Sequence, residues 1–440
     1  MPWIKFCWSE SRTYRVWLFL AIIYFILRLV IQVYLFADAI RPEAIAKGTS
    51  VSADLQMSYI PASEHFKSRE DIYLKGSLDF LEAQFPYSPS FAFFGMPLLL
   101  QPLSIQVPLL TLIHLIAYWL LYVKWASIFK RYELLGAEKV WAMSLPLFLI
   151  FSAFWDDLAY LNMYLLMALF ATYATDAVIQ ERTVPASFWL GAVILPIKPQ
   201  WAFALGIPLL LGRNRFFFKL IGGTILAYAV VMVITMMGGG ATYVLQQYRD
   251  YVDLLARLSR DYPWRGPDQP FLGYNHSVMQ TILYFFGVTP ANLNLATVIK
   301  FILLAPLGWV AMKFLRNPLR RHGSEIPELA LTLGFALYLG AFIWLDMVWE
   351  VSLGLVIFVF LLAIIEQEWI RTALWVIFLP YAALDAWRLI SYLAFGDRIL
   401  YEGAYVLTDP FLYVPWILMI LLVFYALIIQ RLRLAEFRLA

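Results

Sequence analysis

The chain has 440 residues, of which 62% are hydrophobic and 14% are charged, and its formal net charge is +3. So apolar a composition excludes a water-soluble globular protein, and the sequence carries no basic footprint of the kind that nucleic-acid binding requires. The composition therefore predicts an all-α integral membrane protein, because the alternating pattern of a membrane β-barrel is absent.

Apolar runs of about 20 residues recur along the chain, and about 20 helical residues cross a hydrocarbon core of about 30 Å. The first run, residues 17–36, follows basic residues and is longer than the roughly 7 to 15 residues of a signal-peptide core, so we interpret it as an uncleaved anchor. The pattern predicts a helical bundle of about twelve spans (ten to thirteen) in a single membrane domain, residues 1–440. The further predicted spans are residues 104–123, 140–154, 163–180, 186–197, 201–211, 217–238, 294–314, 327–344, 351–366, 370–386 and 410–429.

Lysine and arginine residues are concentrated in alternate connections between these spans. By the positive-inside rule those connections are cytoplasmic, and both termini fall on the same side. We therefore predict a multi-pass protein of the plasma (inner) membrane with two long extracytoplasmic loops, residues 37–103 and 239–293. Long loops on a rigid scaffold are where sites concentrate, so function is expected there. Within the second loop, residues 251–262 are predicted to form an amphipathic helix at the membrane interface.

The first long loop contains a helical pattern that begins near Asp54. Apolar residues recur there at helical spacing, and they are Leu55, Tyr59, Ala62 and Phe66. Asp54 stands at the predicted N-terminus, where a carboxylate either caps the helix or faces a site, and both interpretations stay open. The loop ends with four prolines in residues 86–104, which forbid a regular spanning helix and indicate an apolar segment in the outer interface.

The sequence ILPIKPQW, residues 194–201, places one lysine between two prolines inside an apolar run. Each half of the run 186–211 is too short to cross the bilayer, and a single kinked helix would invert the charge pattern of every later connection. We therefore predict a short helical hairpin whose tip carries Lys198 below the outer membrane surface. A lysine at that depth either extends its side chain to water or binds an anion, for which a lipid-linked phosphate is the obvious candidate.

Five stretches of the chain, taken in order, resemble the polyprenyl-phosphate-mannose-dependent mannosyltransferases of glycosyltransferase family 87, in the GT-C superfamily. They are DLQMSYIPASEHF from residue 54, PYSPSFAFFGMPL from residue 86, LAYLNMYLLM from residue 158, IKPQ from residue 197 and GYNHSVMQTIL from residue 273. The likeness covers about residues 50–285. His276 stands where relatives often carry a glutamine, and the stretch WLDMVWE, residues 344–350, lacks the histidines that many relatives carry there.

The resemblance implies a membrane glycosyltransferase that moves a sugar, expected to be mannose, from a polyprenyl-phosphate donor to a lipid or glycan acceptor on the extracytoplasmic face. Inversion needs a carboxylate to deprotonate the acceptor hydroxyl, and hydrogen-bond donors or cations to stabilise the departing phosphate. Asp54 is the predicted general base, and its alternatives are Asp38, Asp156 and Asp157. The predicted phosphate-binding residues are Lys198, Gln200, Arg265, Asn275 and His276. The predicted substrate groove contains Tyr59, Tyr87, Asn162, Asp346 and Glu350.

Two other classes of protein remain as alternatives. A polytopic transporter or a lipid or glycolipid flippase would also show broken helices and charges within the membrane, although no inverted repeat is visible in the sequence. A noncatalytic scaffold protein is the other alternative. The predicted partners are the sugar donor, the acceptor and the bilayer; no cofactor is firmly implied, and a need for a divalent metal stays open.

Overall fold

The computed structural model describes residues 2–46, 51–52, 54–73, 86–316, 325–349, 351–395 and 413–437. These residues form helices and their connections, and no β-strand occurs among them. The predicted all-α fold is therefore confirmed.

The N-terminal part of the chain alternates between long and short helices. They are α1 (Pro2–Glu10), α2 (Arg12–Ala39), α3 (Pro42–Ala46), α4 (Ile60–Ser68, preceded by the π-helical turn Asp54–Tyr59), α5 (Pro89–Leu99), α6 (Leu103–Arg131), α7 (Leu135–Met143), α8 (Leu145–Ile150), α9 (Ser152–Tyr160) and α10 (Tyr164–Ile179).

Next comes a segment of short helical pieces on either side of Lys198, which we name the short hairpin (residues 183–210). Before Lys198 lie α11 (Thr183–Ser187), a π-helical stretch (Phe188–Ile194) and α12 (Leu195–Ile197); after it lie a 3₁₀-helix (Pro199–Leu205) and α13 (Gly206–Leu210). The C-terminal part contains α14 (Asn214–Gly239), α15 (Ala241–Asp261), α16 (Val278–Phe286), α17 (Pro290–Arg316), α18 (Glu325–Trp344), α19 (Gly354–Ile364), α20 (Glu368–Ala382), α21 (Leu384–Phe395) and α22 (Trp416–Phe437).

The number of spans differs from the prediction. In the described residues six helices are long and apolar enough to cross a bilayer, namely α2, α6, α14, α17, α18 and α22, and the number rises to eight if each of two bent helix pairs forms one span. The predicted count of about twelve is thus not confirmed. Several predicted spans coincide instead with short apolar helices, among them α10, the first half of the short hairpin and α19.

Burial explains why some of these helices are short. Of the 16 residues of α10, 13 are buried, and the 11-residue α19 buries nine. By contrast, only 17% of the most apolar window of α2 and of α17 is buried, so these two long helices offer most of their apolar surface to lipid. A helix enclosed by protein on all sides is apolar all round but does not have to match the bilayer thickness. Apolar length alone therefore does not distinguish a membrane span from a helix enclosed by protein.

The helix predicted in the first loop packs against this bundle through its apolar stripe. Leu55, Tyr59, Ala62 and Phe66 are each 3% exposed or less. The periodicity in the sequence thus correctly predicted the buried face, although the first turn is π-helical rather than α-helical. Burial of this face fixes the turn that carries Asp54 against the membrane helices.

The short hairpin is tied to its neighbours at both ends. Glu181, just before it, and Arg213, just after it, form an ion pair, so the chain returns after Lys198 to the end from which it started. A Cβ atom on Gly191 would collide with the carbonyl oxygen of Thr224 in α14, which shows how closely the two backbones approach. Only glycine permits this approach.

Basic residues that the sequence predicts to be cytoplasmic form ion pairs at one end of the bundle. Arg131 contacts Asp176 at 2.7 Å, and Arg431 contacts Glu328 at 2.8 Å. Asp176 lies twelve residues along α10 from Tyr164, or about 18 Å at about 1.5 Å per residue. The opposite end of α10 therefore lies well away from these ion pairs, and the candidate site is found there.

Candidate functional site

Four separate segments meet at the N-terminal end of α10. The π-helical turn contributes Asp54, the residues before α5 contribute Tyr87, the connection into α10 contributes Asn162, and the break of the short hairpin contributes Lys198. The structure thus brings together five of the residues predicted from the sequence, since Tyr59 also belongs to this cluster.

Asp54 does not cap its own helical turn. Ser52 does so instead, since its hydroxyl oxygen accepts a hydrogen bond from the N–H of Leu55 at 3.3 Å. The Asp54 carboxylate accepts a hydrogen bond from the side-chain amide of Asn162, with 2.6 Å between Nδ2 and Oδ2. Of the two interpretations that the sequence left open, the structure favours a carboxylate that faces a site.

Tyr59 and Tyr87 form the wall behind this carboxylate. Their hydroxyl groups lie 2.9 Å apart, and the Tyr59 hydroxyl donates to the side-chain oxygen of Asn162 at 3.2 Å. Both tyrosines are 3% exposed. Because each buried hydroxyl has a partner, the pair is a stable polar element in an otherwise apolar region.

Lys198 occupies the break between the two halves of the short hairpin. Its backbone is extended (φ −141°, ψ 91°). The hydroxyl of Ser88, the residue before α5, donates to the carbonyl of Pro196 at 2.6 Å and so links the break to α5. The ammonium nitrogen lies 3.7 Å from the centre of the Tyr164 ring and 5.0 Å from that of Tyr87. Aromatic faces attract a cation in this geometry, so the two rings hold the lysine inside the protein.

Within the described part of the chain, the charge of Lys198 has no direct counter-ion. The residue is 7% exposed, and none of the carboxylates that the structure describes lies within ion-pairing distance of its nitrogen. Asp54 and Asp157 are close enough to act on it only through their electric fields. A buried cation without a paired anion is costly, and it marks a place where an anion would bind favourably.

The surroundings of Asp54 shift the pKa of its carboxylate toward neutral pH. Burial raises the pKa of Asp54 to about 6; the nearby positive charge of Lys198 opposes the rise, the negative charge of Asp157 adds to it, and the hydrogen bond from Asn162 opposes it. A general base works best when its pKa lies near the working pH, because it is then both deprotonated and basic. Asp54 is therefore suited to accept a proton.

The three alternative bases have other partners. Asp38 is exposed and pairs with Arg41 at 3.1 Å, and Asp156 pairs with Arg388 at 3.0 Å. Asp157 accepts hydrogen bonds at 3.1 Å from the first two N–H groups of α10, and so caps that helix. These contacts leave Asp54 as the carboxylate whose geometry best fits a base.

Residues of the second long loop form a separate cluster around Val348. The amide of Asn275 donates to the carbonyl of Asp346 at 2.9 Å and accepts from the N–H of Val348 at 3.1 Å. The N–H of His276 donates to the carbonyl of Val348 at 2.8 Å, and burial lowers the pKa of this histidine to about 3. His276 is therefore neutral and adds no positive charge for a phosphate.

The other predicted site residues lie outside the Asp54 cluster. Arg265 places its guanidinium 4.2 Å from the ring centre of Phe271, and Asp346 forms an ion pair with the buried Lys300. Gln200 is half-buried two residues after Lys198. Glu350 lies outside the described residues. None of Arg265, Asn275 and His276 makes a hydrogen bond or ion pair with Asp54 or Lys198 in the described part of the chain.

Sequence reasoning missed two residues of the site. Tyr164 supplies the nearer of the two rings over Lys198, and His114 in α6 contacts the backbone carbonyl of Asn162 through Nε2 at 2.8 Å. Tyr164 could have been found from its position two residues after Asn162, at the same helix end. His114 is 50 residues from that helix, and no sequence pattern points to the contact.

No group of three or more His, Cys, Asp or Glu side chains that could hold a metal ion occurs among the described residues.

The sequence model of glycosyltransferase family 87 matches residues 85–341, more than half of the chain. No curated protein and no solved structure shows a significant match. The matched range includes Tyr87, Asn162 and Lys198, and it begins after Asp54.

Proposed function

The chain belongs to glycosyltransferase family 87, and on this premise we propose that it transfers mannose from a polyprenyl-phosphate donor to a lipid or glycan acceptor, with inversion. A multi-pass membrane glycosyltransferase is what the family and the apolar helices together support. In the proposed reaction Asp54 is the general base and Lys198 binds the phosphate of the donor.

The reaction assigns one task to each of these residues. An acceptor hydroxyl attacks the anomeric carbon of the donor sugar from the face opposite the phosphate, and its proton passes to the Asp54 carboxylate. The bond between the anomeric carbon and the phosphate oxygen breaks, and polyprenyl phosphate leaves with one more negative charge than it carried as a diester. Lys198 stabilises that added charge, which lowers the barrier because the interaction is stronger in the transition state than in the bound donor.

The observation that carries this proposal is that one cluster holds both a proton acceptor and a buried cation that forms no ion pair with any described carboxylate. Asp54 has a pKa of about 6, raised chiefly by burial, and the buried Lys198 lies near enough for the two charges to interact. A transporter could use a buried lysine and a carboxylate of raised pKa as well, so this pairing alone does not separate the two classes. The family match favours transfer of a sugar over transport.

We place the reaction on the extracytoplasmic side of the plasma (inner) membrane, with both termini in the cytoplasm. This placement rests on the positive-inside rule, since the basic residues of the connections lie at the end of the bundle remote from Asp54 and Lys198. The neighbouring apolar helices would let the polyprenyl chain of the donor stay in the lipid while its phosphate enters the site.

The test uses purified protein in lipid nanodiscs with radiolabelled polyprenyl-phosphate sugars and a membrane lipid extract as the source of acceptor. Labelled product with the mannose donor is expected, and the Asp54→Asn variant should lose about 10²- to 10⁴-fold in rate, the range for general base catalysis, while still binding donor. If no donor yields product, the transferase proposal fails. If Asp54→Asn transfers at the wild-type rate, the base lies elsewhere.

A further inference from the structure

The connection between α9 and α10 holds Asn162 in a fixed position. Leu161 has a left-handed backbone (φ 49°), and the N–H of Asn162 donates to the carbonyl of Asp157 at 2.9 Å. Asp157 then accepts from the first two N–H groups of α10, and His114 contacts the carbonyl of Asn162 at 2.8 Å. The backbone of Asn162 is thus held from both sides.

The side chain of Asn162 has only one orientation that satisfies its neighbours. Its oxygen accepts from the N–H of Met163 at 2.6 Å and from the hydroxyl of Tyr59 at 3.2 Å. Its nitrogen consequently faces Asp54 and donates at 2.6 Å. A flipped amide would place its oxygen against a carboxylate and its N–H groups against donors, which buried groups do not tolerate. Asn162 is 6% exposed, so water cannot take over these contacts.

We propose that Asn162 is a positioning residue for the reaction: it holds Oδ2 of Asp54 and leaves Oδ1 directed toward the acceptor hydroxyl. The inference rests on the proposed function, because it requires Asp54 to be the base. Two features of the geometry support it. The hydrogen bond is short, and it connects a half-buried carboxylate to an amide whose other contacts prevent it from turning away.

The proposal has a consequence for the pH dependence of transfer. A hydrogen bond to the ionised carboxylate favours that form, and the one from Asn162 opposes the rise that burial causes in the pKa of Asp54. Without the bond the carboxylate holds its proton up to a higher pH. The acidic limb of the rate profile therefore moves to higher pH when the Asn162 amide is removed. Loss of a negatively charged neighbour would move the limb to lower pH.

The test compares Asn162→Ala and the isosteric Asn162→Asp with the wild type. For Asn162→Ala we expect the acidic limb of kcat/KM to move up by about one pH unit, from the strength of a hydrogen bond to a charged group. We also expect kcat to fall by about 10- to 100-fold, with the KM for donor within about threefold. Asn162→Asp, which keeps the shape but adds a negative charge next to Asp54, should move the limb further in the same direction.

Leu161→Ala is the matched control, because it loosens the packing of the same turn and leaves the amide in place. Leu161 is 1% exposed, so this variant should lose thermal stability while its acidic limb stays where the wild type has it. An unmoved limb in both Asn162 variants refutes the positioning role, provided that Asp54→Asn is inactive. If Asp54→Asn transfers at the wild-type rate, Asp54 is not the base and the proposed function itself fails. Failure of the inference and failure of the proposed function therefore give different results.

Discussion

Replacing Lys198 with methionine removes the positive charge from the candidate site and keeps a side chain of similar length. Donor binding and turnover should both weaken. The ammonium already faces the ring of Tyr164 at 3.7 Å and that of Tyr87 at 5.0 Å, so a bound phosphate would approach it from the side that the rings leave open.

The magnitude follows from Coulomb's law. Two unit charges about 4 Å apart interact by about 4 kcal/mol at an effective dielectric constant of about 20, which corresponds to a factor of about 10³ in an equilibrium constant. The negative charge of Asp54 already acts on Lys198 and offsets part of this attraction. We therefore expect kcat/KM for the donor to fall by about 10² to 10³.

The assay measures initial rates of transfer over a range of donor concentrations, and donor binding is measured separately without acceptor. Lys198→Arg, which keeps the charge, should retain more activity than Lys198→Met. The matched control is Lys313→Met, because Lys313 also lies near an aromatic ring, that of Trp309 at 5.4 Å, but belongs to the predicted cytoplasmic end of α17. If Lys198→Met binds and uses donor within about twofold of the wild type, Lys198 does not bind the donor phosphate.

Three further predictions test the chemistry and geometry around this site. Transfer should decline as the pH falls through about 6, because Asp54, whose pKa burial raises to about 6, gains a proton and can no longer act as a base; a rate profile that stays flat down to pH ~4 would contradict this assignment. Asp157→Asn should keep transfer and lose about 1 kcal/mol of stability, because an amide cannot accept both backbone hydrogen bonds of α10 and keep the contact with His114 at 3.5 Å. It should also move the acidic limb downward, because a negative neighbour of Asp54 is gone; a loss of transfer as large as that of Asp54→Asn would make Asp157 the base. Cysteines at Glu181 and Arg213, in a Cys7→Ala background, should be joined by a short bifunctional reagent, since the native side chains form an ion pair; labelling from opposite sides of the membrane would rule out the short hairpin.

Local sequence patterns predicted the helix that follows Asp54 and the break at Lys198, whereas Tyr87 and Asn162 were named only through the family resemblance. The apolar spacing from Leu55 to Phe66 correctly identified a buried face, because helical periodicity is a property of neighbouring residues alone. The two prolines around Lys198 likewise predicted a break in the helix, and the backbone is extended there. Such features depend on a few consecutive residues, so a single sequence contains them.

Partners that are distant in the chain could not be predicted in this way. Lys300 pairs with Asp346, and Tyr164 covers Lys198, yet neither pair has a periodic signature. The difference between the predicted number of spans and the number of long apolar helices in the described residues has the same origin. Hydropathy measures how apolar a helix is, but it does not reveal whether lipid or protein surrounds it, and α10 and α19 are surrounded largely by protein.

The close approach of the short hairpin to α14 has a consequence for how the protein enters the membrane. The halves, Thr183–Ile197 and residues 199–210, are about 22 Å and about 18 Å long, so neither forms a complete span that could leave the translocation machinery alone. We therefore expect the two halves to enter the membrane together as one unit. The backbone of Thr224, against which Gly191 packs, is synthesised later. Packing of the first half of the short hairpin is consequently completed only after α14 has been synthesised, whereas the described neighbours of Lys198 all precede α14 in the chain.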